Sequence, residues 1–272
     1  MKIMNEKKRY FITYSVLLGV MILIALIGPL CMSTDIYTSD LGRALQAPSA
    51  DHWFGTDKLG RDVFARIIHG MQLSLGMSFS IVSLMAMTGT LVGVVAGFYG
   101  GKVEMVLMRL CDIMISFPGI ILAIAIAGVM GGSIGNAILA LTLVGWAKYA
   151  RIVRSLVLKV RGEDYVTAAR LSGASPFVIM RRHILPNTLP LVFVTAGMDL
   201  GTMILEVAGL SFLGFGAQPP TPEWGRMLNE GRQYLQMAPW LMVFPGVAIL
   251  LVVTVFNLWS DSLRDILDPK QT

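Results

Sequence analysis

Charge is scarce in this chain. Only 14% of its 272 residues are Asp, Glu, Lys or Arg, against about 25% in soluble domains, which excludes an ordinary soluble enzyme. Hydrophobic residues make up 55%. That excludes disorder, which requires low hydrophobicity and high charge. Cysteine is nearly missing: Cys31 and Cys111 form neither a disulfide framework nor a C-x-x-C pair. No G-x-x-x-x-G-K-[ST] phosphate loop occurs, so the chain has no ATP site of that kind. A G-x-S-x-G elbow and an H-E-x-x-H pair are also missing. His52, His69 and His183 lie in separate segments and suggest neither a catalytic nor a zinc site. No catalytic residue, metal site or cofactor is expected.

What the chain does have is long apolar runs. A membrane-spanning helix needs roughly 20 mostly apolar residues, and six stretches are read as spans: Phe11 to about Leu30, Leu73–Phe98, Met105–Val129, Ile134–Trp146 extended to Ala150, Leu189–Phe215 and Trp240–Trp259. The first follows Lys7-Lys8-Arg9 and resembles a signal peptide at its start. It is long for one, and no small-residue cleavage site follows Cys31, so it is read as an uncleaved span. Only Met130–Ser133 separates the third span from the fourth, which predicts a tight hairpin. The 28 Gly and 18 Met suit a bundle in which small residues let helices approach closely. A soft-metal role for the methionines is the lesser reading, because Met packs well at span positions.

The net charge of +5 would suggest nucleic acid in a soluble chain. Here it follows topology, since inner loops of membrane proteins collect Lys and Arg. With the N-terminus inside, 16 of the 22 basic residues face the cytoplasm. They are four in the first ten residues, Lys102 and Arg109, eight from Lys148 to Arg182, Arg264 and Lys270. Arg43, Lys58, Arg61, Arg66, Arg226 and Arg232 face out. Both termini are then cytoplasmic, the outer loops are about 31–72 and 217–238, and Cys31 and Cys111 sit near opposite faces, unable to pair. No nucleic-acid partner is expected.

Gly89, Gly93, Gly97 and Gly101 recur every fourth residue. They predict a flat ridge for close helix packing, with a gating hinge as the alternative. Asp199 and Glu206 fall seven apart on one face of the fifth span, and buried acids in membranes are functional candidates. Lining the pathway or a structural contact are the two readings. Arg109 and Asp112, three apart, are expected to pair at the cytoplasmic end.

The long inner loop, about 151–188, carries the strongest pattern. Val157, Val160, Asp164, Ala168 and Leu171 continue a helical repeat that Gly173 ends. Ser175-Pro176 opens a second helix, with Ser as cap and Pro in the first turn. Phe177, Ile179 and Met180 give it an apolar face. Pro186 and Pro190 are expected to close the segment. Arg170, Arg181 and Arg182 are expected to be exposed beside the apolar residues. Such a helix–turn–helix either lies on the lipid interface or docks into a partner's groove.

These residues resemble a known family. Thr167-Ala168-Ala169, then Gly173, then Leu185-Pro186, are similar to the E-A-A loop of ABC importer permeases. Thr167 replaces the Glu and His183 the Ile of that pattern. Further resemblance, to the dipeptide, oligopeptide and nickel branch, lies in His52-Trp53-Phe54-Gly55-Thr56-Asp57 with Gly60-Arg61-Asp62. It continues in Gly209–Gly216 with Gln218–Gly225, and in Asn257-Leu258, Asp261–Asp265 and Leu267-Asp268-Pro269. The resemblance covers about residues 50–269.

The resemblance implies an all-α membrane protein of six transmembrane helices with a cytoplasmic coupling loop, the type I importer permease fold. It implies a first part at 1–72 holding one helix and an outer loop, and a permease core at 73–272. The implied partners are membrane lipid, a second related permease in a heterodimer, two ABC ATPase subunits that hydrolyse the ATP, and an extracytoplasmic binding protein. Thr167, Ala168, Ala169, Gly173, Ser175, Pro176, Leu185 and Pro186 would couple to the ATPase. The chain itself would be a transport subunit of the inner membrane and no enzyme. Trp146–Ser155, Asp199–Met203 and Pro222-Glu223-Trp224-Gly225 with Arg232-Gln233-Tyr234 look more like the nickel branch, so nickel or a nickel chelate is the expected cargo, with di- or oligopeptides as the alternative. A secondary transporter is the remaining rival, and the docking-type loop weighs against it.

Overall fold

A computed structural model describes residues 2–32 and 35–267. Asp268 and Pro269 of the C-terminal motif, and Lys270 of the inner basic residues, lie outside the described residues. Apart from one isolated bridge between Thr56 and Asp62, the described residues form helices, turns and loops only. The helices are α1 (Lys2–Cys31), α2 (Val63–Tyr99), α3 (Gly101–Ser116), α4 (Gly119–Met130), α5 (Ile134–Arg161), α6 (Asp164–Leu171), α7 (Pro176–Ile179), α8 (Leu185–Phe212), α9 (Trp224–Gly231) and α10 (Trp240–Leu267). The all-α expectation holds.

Four helical stretches are long and apolar enough to cross a membrane: Glu6–Cys31, Val63–Tyr99, Pro176–Phe212 and Trp240–Ile266. The expected third span is not one rod. α3 and α4 meet at an angle of 92°, because Pro118 cannot continue a helix and drives Phe117 into extended backbone. Phe117 has φ −99° and ψ 146°. If the bent pair crosses once, the apolar spans number five among the described residues. The expected fourth span is the first half of α5, whose second half is crowded by Lys148, Arg151, Arg154, Lys159 and Arg161.

Two further boundaries differ from expectation. α2 starts at Val63, ten residues before Leu73; Arg66 in its first turns is buried, donates to Ile36 O at 3.2 Å and Pro220 O at 3.3 Å, and lies 3.6 Å from Asp57 and 3.5 Å from Glu230. Pro186 and Pro190 do not end the inner segment; helix runs through them into α8. A π-helical turn at Met180–Ile184 precedes Pro186. Its wider i→i+5 bonding accommodates the missing proline N–H. The hairpin at Gly131–Ser133 falls where it is expected.

The chain divides into two compact units. One holds residues up to 79, 127–137 and 198 onward. Its core joins Val63, Ile67, Met71, Ile204, Trp224, Leu241, Val252 and Phe256. α1 lies along α10, with Phe11 stacked near Trp259 at 6.4 Å and the Trp259 indole donating to Ser15 Oγ at 3.1 Å.

The other unit holds 80–126 and 138–197. The glycine ridge positions its helices. A Cβ on Gly89 would lie 2.4 Å from Tyr149 Cβ, on Gly93 2.6 Å from Ala150 O, and on Gly97 2.7 Å from Val157 Cβ. Backbone-to-backbone approach of α2 and α5 therefore requires glycine at all three. Gly101 is not part of the ridge. It lies beyond the end of α2 with φ +54° and faces open space.

Candidate functional site

Local rules shape the 163–186 loop. α6 ends in a Schellman turn: Ala174 N donates to Ala169 O at 3.1 Å and Gly173 N to Arg170 O at 3.0 Å. Gly173 has φ +82°, which a side chain would strain. Ser175 Oγ accepts from Val178 N at 3.4 Å, and Pro176 takes the first helical position. Asp164 sits in the first turn of α6, where the helix dipole favours an acid.

The loop has an inner and an outer face. Val166, Ile179 and Ile184 are buried. Thr167, Ala168, Gly173, Ser175, Pro176, Arg181 and Arg182 are exposed, while Ala169 and Leu185 are half-buried and Pro186 is exposed. Leu171 is 85% exposed and Phe177 66%, although neither lies in a lipid-length span's apolar centre. The eight expected coupling residues therefore fall on one continuous loop. Arg170 is exposed as expected, and its guanidinium also rests 5.6 Å from the centre of the Phe98 ring.

Arg109 and Asp112 do not pair with each other. Asp112 accepts from Arg151 at 2.7 Å, and Glu104 pairs with Arg154. Both bonds run from α3 to α5, because the α2–α5 contact brings the basic half of α5 beside α3. Asp199 and Glu206 lie in α8, both half-buried, on one face. Two residues from Asp199, a Cβ on Gly201 would lie 2.5 Å from Asn257 Oδ1 of α10, so this glycine admits the Asn257 side chain.

The two outer motifs fold onto each other. Asp57 Oδ2 accepts from Arg61 Nε at 2.7 Å and lies 3.6 Å from Arg66 Nε. Glu230 of α9 lies 3.5 Å from both Arg61 and Arg66 and 3.4 Å from Arg226. His52 Nδ1 meets Asp62 Oδ2 at 2.8 Å, and the Trp240 indole donates to Thr56 O at 3.2 Å. Glu223 caps α9, accepting from Gly225 N and Arg226 N, and its Oε1 accepts from Ser74 Oγ at 3.0 Å. Burial pushes the Glu223 carboxyl above the usual carboxylate range, against the pull of these donors. The 217–238 loop is thus largely a packed structure around α9, with Trp224 buried and its indole bonded to Ile67 O at 3.0 Å. The sequence does not show this charge network, because the contacts that close it, from Glu230 to Arg61 and Arg66, join segments far apart in the chain. Among the described residues no group of three or more His, Cys, Asp or Glu is placed to hold a metal ion.

Apolar helices of membrane length joined by ordered loops define a polytopic membrane protein. The chain belongs to the family described as binding-protein-dependent transport system inner membrane component, whose pattern matches residues 89–272. It is 45% identical over 265 residues to a dipeptide transport system permease of Alkalihalophilus pseudofirmus, covering 97% of this chain and 87% of that protein. A probable D,D-dipeptide transport permease of Escherichia coli K12 is 42% identical over 259 residues, with 95% and 87% covered. A glutathione transport permease of Escherichia coli O157:H7 is 48% identical over 223 residues, with 82% and 74% covered. In structure the chain is similar to a methionine ABC transporter solved in inward-facing conformations, with TM-score 0.59 at 23% identity over 75% of this chain and 98% of that one. An amino acid ABC transporter gives TM-score 0.56 at 17% identity, over 75% and 95%. These likenesses establish the type I importer permease fold. The chain is an ABC importer permease, a transport component of the inner membrane.

Proposed function

We propose that this permease carries short peptides inward, driven by ATP hydrolysed on partner ATPase subunits. The observation that carries the cargo is the set of named relatives, which are permeases for dipeptides, D,D-dipeptides and glutathione. The nickel reading rests on short sequence cues and has no support from these relatives. A second, related permease would complete the pathway, and an extracytoplasmic binding protein would deliver the cargo to the outer side.

The coupling surface is Thr167, Ala168, Ala169, Gly173, Ser175, Pro176, Leu185 and Pro186, with Leu171 and Phe177 as its apolar anchors. Supporting this, the loop is ordered by a Schellman turn and a serine cap, yet leaves two large apolar side chains in water. Exposed apolar groups on a rigid, polar-rimmed element suit a partner's groove. Asp199 and Glu206 are the pathway candidates, since half-buried acids in an apolar helix face a cavity or a polar partner. The N-terminus and the 163–186 loop lie on the cytoplasmic side, as their basic residues favour. The division into an N-terminal part at 1–72 and a core at 73–272 belongs to the same proposal.

The experiment is growth rescue. An amino-acid auxotroph given that amino acid only as a dipeptide grows when it carries this gene and fails without it. Growth independent of the gene, where no other peptide importer remains, overturns the peptide cargo.

A further inference from the structure

We infer that Arg161 and Arg170 tie the coupling loop to the end of α2, so that loop and helix end move as one body. The inference rests on the coupling role proposed above and goes beyond it by naming where the motion is handed on.

α5 and α6 are not one helix. The chain breaks at Gly162 and Glu163, and a break of two residues before a docking helix is a place where an imposed movement can be absorbed. Two arginines bridge it. Arg161, the last residue of α5, donates from Nη1 to Gly97 O at 3.1 Å and Phe98 O at 2.9 Å. Carbonyls in the last turn of a helix have no partner in that helix, and a cation there is also favoured by the helix dipole. Nine residues on, beyond the break, Arg170 sets its guanidinium over the Phe98 ring at 5.6 Å. Phe98 is only 9% exposed, so the ring is held and cannot simply follow the arginine.

The end of α2 is thus gripped from both sides of the break. It also cannot slide along α5, because Gly97 packs against Val157 with no room for a Cβ. On the opposite side of α6, Asn187 Nδ2 donates to Tyr165 Oη at 3.3 Å and to His183 O at 2.6 Å, which links α6 to the start of α8. A push on Leu171 and Phe177 then reaches α2 through Arg170 and Phe98 instead of flexing the Gly162 break. Arg161 and Arg170 are positioning residues in this scheme.

The test uses the assembled complex in proteoliposomes, with radiolabelled dialanine as cargo and ATP hydrolysis followed in parallel. Phe98→Leu removes the ring and keeps an apolar side chain. The ATP hydrolysed per dialanine transported is expected to rise about two- to fivefold, the size of an exposed cation–π contact. Phe98→Tyr restores the ratio. Arg170→Gln gives the same rise, and the double variant adds nothing to either single change. An unchanged ratio in both single variants, beside uncoupling in Phe177→Asp, overturns the tie and leaves the loop's role standing. Full transport and full ATPase binding in Phe177→Asp overturn the loop's role itself.

A cargo-independent reading comes from spin labels at Val95→Cys and Ser172→Cys, with Cys31→Ser and Cys111→Ala. Their distance is expected to be the same with and without ATP, and to shift with ATP once Phe98→Leu is added. A shift with ATP while Phe98 is intact overturns the inference whatever the cargo.

Discussion

Ser74 donates its hydroxyl to Glu223 Oε1 across 3.0 Å, and both residues are buried. One bond therefore joins the body of α2 to the cap of α9, two segments 149 residues apart in the chain. The carboxyl it holds is protonated more readily than usual because burial penalises the charge.

That shift has a pH signature. Glu223 binds a proton more tightly folded than unfolded, so its contribution to stability is fully present below the ordinary carboxylate range. The contribution is lost as pH rises through the raised folded value. Thermal unfolding in detergent at a series of pH values checks this: the wild-type Tm falls over that window more steeply than that of Glu223→Gln. Parallel curves contradict it. Gln also lacks an oxygen for one of the two N–H donors, so the variant is the weaker protein at low pH.

The outer charge network gives a larger effect. Removing Glu230 leaves Arg61 and Arg66, whose side chains are 2% and 1% exposed, with one acid fewer for two buried cations. Breaking a buried ion network this way costs about 3–5 kcal/mol. Glu230→Ala is expected to lower Tm and the yield of membrane-inserted protein, and Asp57→Ala to do the same. Arg43→Ala, on an exposed pair with Asp40, shifts Tm little.

The glycine ridge predicts a contrast between two identical substitutions in α2. Gly93→Ala drives a methyl to 2.6 Å from Ala150 O and is expected to cost about 1–3 kcal/mol through overpacking. Gly76→Ala meets nothing within 4 Å and is expected to be neutral or to stabilise by about 0.5–1 kcal/mol. Relative stability of the two purified variants decides it. Equal effects contradict close α2–α5 packing as the reason for glycine.

The loop and the acids are tested by transport. Gly173→Val places a β-branched residue at φ +82°, a strain of about 1–3 kcal/mol, in a turn with open space around it. The chain is expected to reach the membrane and fail to transport. Asp199→Asn and Glu206→Gln are expected to change uptake kinetics at equal expression; unchanged kinetics make both acids structural.

Much of this architecture is legible from local chemistry. Ser175-Pro176, Gly173 and the Met130–Ser133 hairpin are short-range signals, and the structure places each as read. Gly89, Gly93 and Gly97 are legible because their spacing repeats the helix period. What is not legible depends on partners far away in the chain. α2 begins at Val63, where buried Arg66 reaches Ile36 O, Pro220 O and the Glu230 carboxylate. Asp112 pairs with Arg151 of α5 and not with Arg109 one turn away. α9 forms inside an expected loop because Glu223 and Trp224 find Ser74 and Ile67 on α2. The break at Pro118 is a local signal masked by the apolar run around it, and Arg170 is on the surface as expected while its contact with Phe98, far back in the chain, is not legible.

The central claim is inward transport of short peptides, and one measurement bears on it most directly. Uptake of radiolabelled dialanine and of radioactive nickel is followed in parallel, in cells with and without this gene, in low-metal medium. The account predicts that dialanine uptake is lost on deletion and restored by the wild-type gene but not by Gly173→Val, while nickel uptake is unchanged. Loss of nickel uptake with dialanine uptake intact contradicts it.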